Sequence, residues 1–126
     1  MLQHSRECIT PIRPNIADQA ALPDFPAGAT EDWGLVLYRE ANLLYEPGVT
    51  SADNKRSIAA VIAHELSHMV FGNLLTCQWW SDTWLNEGLA RFLQYEILHD
   101  IMPQWKLVKY CRADFYLRSI EIYIII

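Results

Sequence analysis

The clearest hydrophobic pattern lies between residues 51 and 73, SADNKRSIAAVIAHELSHMVFGN. This proline-free segment opens with Ser51 and Asp53 as candidate capping residues and stops at the pair Gly72-Asn73. These are the usual start and stop signals of a helix. The segment predicts one helix of about five turns.

A second helical pattern follows after a short loop. It starts near Ser81 or Asp82 and stops before Pro103, and Gly88 weakens it only locally. We predict a second helix here, able to pack against the first. Its apolar residues recur at helical spacing: Trp84, Leu85, Leu89, Phe92, Leu93 and Ile97.

The residues before the first helix lack a helical period. Four prolines between Met1 and Pro26 indicate extended chain and turns, with ALPDF at 21–25 as a candidate short strand. GLVLYREANLLYE at 34–46 is rich in β-compatible residues, which predicts a strand and the possible start of a second one. A strand region followed by two helices is typical of an α+β fold.

Composition narrows the class of protein. The chain has 126 residues, 52% of them apolar, which is enough for one packed domain. Fifteen acidic residues against ten basic ones argue against a nucleic-acid-binding surface and suit a site for cationic groups. The first residues lack the apolar core of a signal peptide and the closing IEIYIII is too short to span a bilayer, so we expect no membrane segment.

The three cysteines suggest no cross-linked framework. Cys8, Cys77 and Cys111 are odd in number and none are spaced as CxxC. They therefore indicate neither a set of disulfides nor a cysteine-based zinc site.

The candidate chemistry begins with HELSH, residues 64–68 of the first predicted helix. Because each helical residue turns by about 100°, His64 and His68 project from one face and can offer two imidazole nitrogens to one ion. Glu65 is rotated away from direct ligation, but it can reach a water held by that ion, which is the place of a general base.

Glu87, nineteen positions after His68, is the candidate third ligand. It lies on the second predicted helix, and two imidazoles with one carboxylate favour zinc, so we expect one Zn²⁺ per chain. The alternative is a chance HExxH on a polar helix face. The apolar surroundings AAVIAHELSHMVF argue against it, since two histidines and an acid buried without partners would be costly.

These motifs resemble those of the zinc aminopeptidases of the aminopeptidase N type, in the gluzincin family. The resemblance covers roughly residues 18–107 and includes HELSH, the spacing to Glu87, FGNLLTCQWWSDTWLNEG and LPDFPAGATEDWGLVLYRE. It implies a fragment of a thermolysin-like catalytic domain over residues 1–107, followed by an atypical tail over 108–126. It also implies that His64, His68 and Glu87 bind zinc and that Glu65 is the base.

The same resemblance places a substrate-binding motif upstream. Family members carry GAMEN where this chain has Gly28-Ala29-Thr30-Glu31-Asp32. Glu31 is thus implied to bind the free α-ammonium of the substrate, and the backbone at Gly28 and Ala29 to contact its peptide. Threonine in place of methionine should reshape the first substrate pocket, and Asp32 adds a negative charge near Glu31.

The chain departs from the family pattern at two further places. One is the pair of residues after the second histidine, and the other is the tyrosine that stabilises the oxyanion formed during hydrolysis. Met69 and Val70 replace the family's usual glutamine and tryptophan. The family's oxyanion-stabilising tyrosine lies well downstream of the last zinc ligand, and three tyrosines match no such motif: Tyr110, Tyr116 and Tyr123.

Weaker candidates have structural alternatives. Asn86 and Asp82 are candidates for orienting the metal ligands, although helix capping explains Asp82 equally well. His4 and His99 have no matching partners and are not proposed as ligands. Four tryptophans favour core packing over a substrate pocket: Trp79, Trp80, Trp84 and Trp105.

The function expected from these residues is hydrolysis of N-terminal residues from peptides that have a free amino group. A truncated, inactive chain that binds zinc or acts through interactions is the alternative from another class. A zinc endopeptidase would share every metal residue but would not need Glu31. The compartment stays open, because family members are either membrane-anchored ectoenzymes or cytoplasmic.

Overall fold

The computed structural model describes residues 17–107. Three short strands, β1 (Asp18–Leu22), β2 (Ala29–Asp32) and β3 (Leu35–Arg39), form a sheet in the order β1-β3-β2. Strand β3 is central, parallel to β1 and antiparallel to β2. Two helices, α1 (Ala52–His68) and α2 (Thr83–Ile101), follow the sheet, which confirms the α+β class.

The alternation of side chains along β3 explains its central position. Val36 and Tyr38 are fully buried, whereas Leu35 and Arg39 on the other face are exposed. Val36 and Tyr38 pack with Met69, just after α1, to form a small apolar core between sheet and helix. This contact fixes the sheet against the end of the helix that carries HELSH.

The strand predictions were correct in part. The strand predicted at ALPDF lies earlier, because β1 ends at Leu22 and a turn begins at Pro23. The second strand suggested within residues 40–46 is wrong, since Glu40–Asn42 form a 3₁₀ turn. The short strand β2 had been predicted only as part of a general strand region.

Helix α1 begins as predicted and ends earlier. The Ser51 hydroxyl accepts a hydrogen bond from Asn54 N at 3.1 Å, a capping contact worth about 1 kcal/mol. The helix ends at His68 rather than at Gly72, because the next residues form a tight turn closed by a bridge between Phe71 and Leu75.

Helix α2 matches its prediction closely. It starts at Thr83 after a 3₁₀ turn over Trp80–Asp82 and ends just before Pro103. Its buried residues, Ala90, Gln94 and Leu98, recur every fourth position and so form one face. The two helices make the most extensive contact between any two elements of the described chain.

The expectation that the tryptophans pack in the core is wrong for three of them. The exposed fractions of Trp79, Trp80 and Trp84 are 68%, 83% and 57%, and only Trp105 is half-buried. Within residues 17–107, neither helix has the length and hydrophobicity needed to cross a bilayer. The tail 108–126, with Cys111 and the three tyrosines noted above, lies outside the described residues, as do His4 and Cys8.

Candidate metal centre

His64 and His68 face each other at the last turn of α1. Their Nε2 atoms are 3.1 Å apart, and the rings are nearly perpendicular, with 4.6 Å between centroids. His68 is buried and His64 is half-buried. The four-residue spacing in the sequence therefore brings two imidazole nitrogens to one point, as predicted.

Glu87 approaches the same point from the second turn of α2. Its Oε2 lies 3.2 Å from His64 Nε2, and its Oε1 lies 3.5 Å from His68 Nε2. Ligands held at about 2.0–2.1 Å around one tetrahedral zinc are separated by about 3.3 Å. Among the described residues these three side chains form a cluster with the geometry of a metal site.

The hydrogen bond of His68 Nδ1 supports this geometry. His68 Nδ1 lies 2.9 Å from the Phe71 carbonyl, which can only accept, so Nδ1 carries the proton. The other ring nitrogen, Nε2, is then the one available to bind a metal ion, and it points into the cluster. His64 Nδ1 is buried and has no partner among residues 17–107.

The charge state of His64 also fits ligation. Burial lowers the pKa of His64, and the neighbouring His68 lowers it further, while Glu87 acts in the opposite direction. A neutral imidazole is the form that binds a metal ion. The donor set, two imidazoles and a carboxylate, is one that zinc takes in hydrolytic enzymes.

Glu65 lies next to the cluster but outside it. It is buried, 7% exposed, although it is ionisable. Burial raises the pKa of Glu65 to about 7, with further contributions from the negative charges of Glu31 and Glu87. A carboxylate whose pKa is near neutrality can both accept and return a proton.

Glu31 reaches the same region from β2. It is half-buried and lines a cavity of about 460 Å³ together with His68 and Glu87. Trp79 and Trp80 also line this cavity, so their exposed rings belong to its wall rather than to the core.

The other members of the upstream motif are placed differently. Side chains alternate along a strand, so Thr30 and Asp32 point to the face opposite Glu31. The Gly28 carbonyl accepts hydrogen bonds from Arg39 N at 3.0 Å and Asn42 Nδ2 at 2.9 Å. Neither Gly28 nor Ala29 lines the cavity formed by residues 17–107, and their contact with substrate stays a prediction.

The two candidates for orienting ligands lie near the start of α2. Asn86 lines the cavity, and its amide contacts Cys77 Sγ at 3.7 Å. Asp82 occupies the capping position of α2, but its side chain makes no capping bond and instead accepts from Ser81 Oγ at 3.3 Å. A role for either residue beside the metal stays a prediction.

Sequence reasoning missed two residues in the turn after α1. Gly72 has a φ of +148°, and a side chain there would meet His68 O at 3.1 Å and His68 Nδ1 at 3.2 Å. Asn73 donates from Nδ2 to the Glu31 carbonyl at 2.6 Å. The Gly-Asn pair was interpreted only as a helix stop, which gives no information on these contacts.

Comparison with known proteins places these residues in a family context. The model of the peptidase family M1 domain matches residues 7–122. The chain is 53% identical over 103 residues, 82% of its length, to aminopeptidase N of Canis lupus familiaris, of which it covers 11%.

Two further relatives are also aminopeptidases. The chain is 58% identical over 78 residues to glutamyl aminopeptidase of Bos taurus, which is 62% of the chain and 8% of that relative. It is 52% identical over 90 residues to puromycin-sensitive aminopeptidase of Caenorhabditis elegans, 71% of the chain and 10% of that relative. The chain thus spans about a tenth of the length of these curated relatives.

Proposed function

The chain belongs to peptidase family M1, and from this premise we propose that it carries the metal site and the amine-binding site of a zinc-dependent aminopeptidase. The substrates are peptides with a free N-terminus, from which one residue is removed by hydrolysis. In this proposal the sheet and the two helices are part of a thermolysin-like catalytic domain.

The proposal rests on one observation above all. Three carboxylates and two imidazoles from three separate elements lie close together. Glu31 from β2, His68 from α1 and Glu87 from α2 line one cavity. His64 of α1 contacts His68 and Glu87, and Glu65 is near enough to Glu31 and Glu87 for their charges to raise its pKa. Such a concentration of ionisable groups has no evident structural purpose, since the carboxylates repel one another and the burial of Glu65 and His68 is unfavourable.

His64, His68 and Glu87 are the residues that would hold the zinc ion. When bound, zinc polarises the scissile carbonyl and lowers the pKa of a coordinated water. The Nδ1–H bond from His68 to the Phe71 carbonyl fixes the ring so that Nε2 stays directed into the site.

Glu65 is proposed as the general base. Its carboxylate takes a proton from the attacking water and passes it to the leaving amine. Burial raises the pKa of this carboxyl, which favours its uptake of the proton that it then passes on.

Glu31 is proposed to bind the α-ammonium of the substrate. A half-buried carboxylate facing an ammonium group makes a charge-assisted contact, which is lost when the amine is acylated or when an internal peptide is presented. This contact restricts cleavage to the first residue and distinguishes the proposal from an endopeptidase.

The test uses the longest natural polypeptide that carries this sequence. Glu31→Ala should lower the specificity constant for an aminoacyl chromogenic amide at least about tenfold, since a hydrogen bond to a charged group is worth about 1.5–3 kcal/mol. Zinc content should stay unchanged. N-acetylated amides should be poor substrates for the unmodified enzyme.

Glu96→Ala, which removes an exposed carboxylate from α2, is the matched control and should retain full activity. Equal hydrolysis of free and N-acetylated substrates would favour an endopeptidase. Absence of any hydrolysis in the presence of bound zinc would favour the alternative of an inactive zinc-binding chain.

A further inference from the structure

Strand β2, which carries Glu31, is an edge strand with part of its backbone unpaired by the sheet. It has one neighbour, β3, in the order β1-β3-β2. Hydrogen-bonded and non-bonded residue pairs alternate along an antiparallel ladder. Arg39 N donates to Gly28 O, so these two opposite residues are a hydrogen-bonded pair. Three positions further along the ladder, Glu31 and Val36 are therefore a non-bonded pair. The Glu31 carbonyl therefore faces away from β3.

Asn73 is the partner of this outward carbonyl. Its Nδ2 donates to Glu31 O at 2.6 Å, across 42 positions of sequence. The backbone N–H of the same residue donates to the carbonyl of His68 at 3.0 Å. One residue thus joins the strand that carries the amine-binding carboxylate to the backbone of a proposed metal ligand.

The turn that holds Asn73 is well braced. Gly72 N bonds to Leu75 O at 3.1 Å, Leu75 N bonds to Val70 O at 2.8 Å, and the Thr76 hydroxyl bonds to Gly72 O at 2.6 Å. The same turn supplies the Phe71 carbonyl that orients the His68 ring. These hydrogen bonds fix the turn, so the position of the Asn73 amide is also defined.

We propose that Asn73 is a positioning residue that sets the distance and orientation of the Glu31 carboxylate relative to the metal ligands. This inference rests on the proposed function, since it assigns Asn73 a purpose only if Glu31 binds the substrate amine. Without the amide bond, the Glu31 carbonyl loses its hydrogen bond to the turn after α1, and the Glu31 carboxylate is freer to move away from the cavity. A displacement of about 1 Å is enough to weaken an oriented contact severely.

The experiment compares two zinc-binding probes that differ only in the amine. Leucine hydroxamate carries the α-ammonium, and 4-methylpentanohydroxamic acid lacks it; both are titrated calorimetrically into the longest natural polypeptide that carries this sequence, loaded with zinc. Asn73→Asp keeps the side-chain shape but replaces the N–H donor with an oxygen facing the Glu31 carbonyl. It should weaken binding of leucine hydroxamate at least about fivefold and leave the amine-free probe within about twofold.

Three comparisons make the result decisive. Asn54→Asp introduces the same change on the exposed first turn of α1 and should leave both affinities unaltered. Asn73→Ser, which removes the donor without adding charge, should reproduce the selective loss. Zinc content should be equal in all variants.

The outcomes separate this inference from the proposed function. If Glu31→Ala fails to reduce the preference for the amine-bearing probe, the amine-binding function is wrong and Asn73 loses its assigned purpose. If Glu31→Ala removes the preference but both Asn73 variants retain it, the positioning role alone is wrong. Equal weakening of both probes, loss of zinc, or failure of both variants to fold would show that Asn73 is merely structural.

Discussion

At the scale of single residues, the environment of Glu65 determines what it can do. His64 and Glu65 are adjacent in sequence but differ in their surroundings. His64 contacts Glu87, whereas Glu65 is buried and its pKa is raised by burial and by the negative charge of Glu31. Adjacent positions on a helix are about 100° apart, so a residue beside a ligand is not itself a ligand. Position and burial together support the proposed role of Glu65 as a proton carrier.

Glu65→Gln is the sharpest test of that role. Glutamine keeps the size and polarity of the side chain but cannot accept the proton, so kcat should fall by about 10²–10⁴ in zinc-loaded protein. The metal content should not change, because Glu65 is outside the ligand cluster. Steady-state kinetics and elemental analysis on the same samples measure both quantities.

The corresponding change at Glu96, an exposed acid on α2, is the control and should have no effect on kcat. Near-normal hydrolysis by Glu65→Gln would mean that another group acts as the base.

The residues of the candidate site differ in how well the sequence alone predicts their positions. The HELSH spacing alone determines that His64 and His68 share a face, because the helical period is fixed. Glu31 was expected only through a family resemblance, since its four-residue strand has no distinctive pattern. Asn73 could not be predicted, because its bond to Glu31 depends on how the sheet packs on α1.

At the scale of elements, the proposed metal joins α1 to α2. Two ligands come from the last turn of α1 and one comes from α2, and Ala90, one turn after Glu87, is fully buried in the described chain. An ion bound by both helices would stabilise their packing in addition to serving chemistry.

Removal of the metal should therefore destabilise the fold. A ligand that binds only the native state adds about 2.7 kcal/mol at a hundredfold excess over Kd. A zinc chelator should lower the free energy of unfolding by an amount of that order in the unmodified protein and much less in Glu87→Ala. Denaturant unfolding with and without the chelator measures the difference.

His99→Ala removes a histidine from the same helix, exposed and away from the cluster, and should respond to the chelator as the unmodified protein does. A stability unaffected by chelation would show that no ion joins the two helices.

The helices and strands also show where a sequence pattern is sufficient to predict an element and its ends. Both helices were predicted because each has a long apolar period and clear start signals, and the end of α2 agreed because Pro103 is a strong stop. The end of α1 was misplaced by a few residues, since the turn at residues 69–73 depends on a tight approach of Gly72 to His68. The short strands and the 3₁₀ turn at Glu40–Asn42 carry too few residues for a distinct period.

At the scale of the whole molecule, the wall of the cavity contains large aromatic side chains that remain exposed. Trp79 and Trp80 line it while more than half exposed. Composition had favoured core positions for these side chains, and the structure corrects that expectation. Residue type predicts average burial, but not which large side chains remain at the rim of a site.

The account depends most directly on whether the chain binds one zinc ion through His64 and His68, so its decisive measurement is the zinc content per chain by elemental analysis. The longest natural polypeptide that carries this sequence should contain about one zinc per chain, His64→Ala and His68→Ala should each contain little, and the control His99→Ala should retain it. Full zinc stoichiometry in both the His64 and His68 variants would contradict the metal assignment and, with it, the proposed aminopeptidase site.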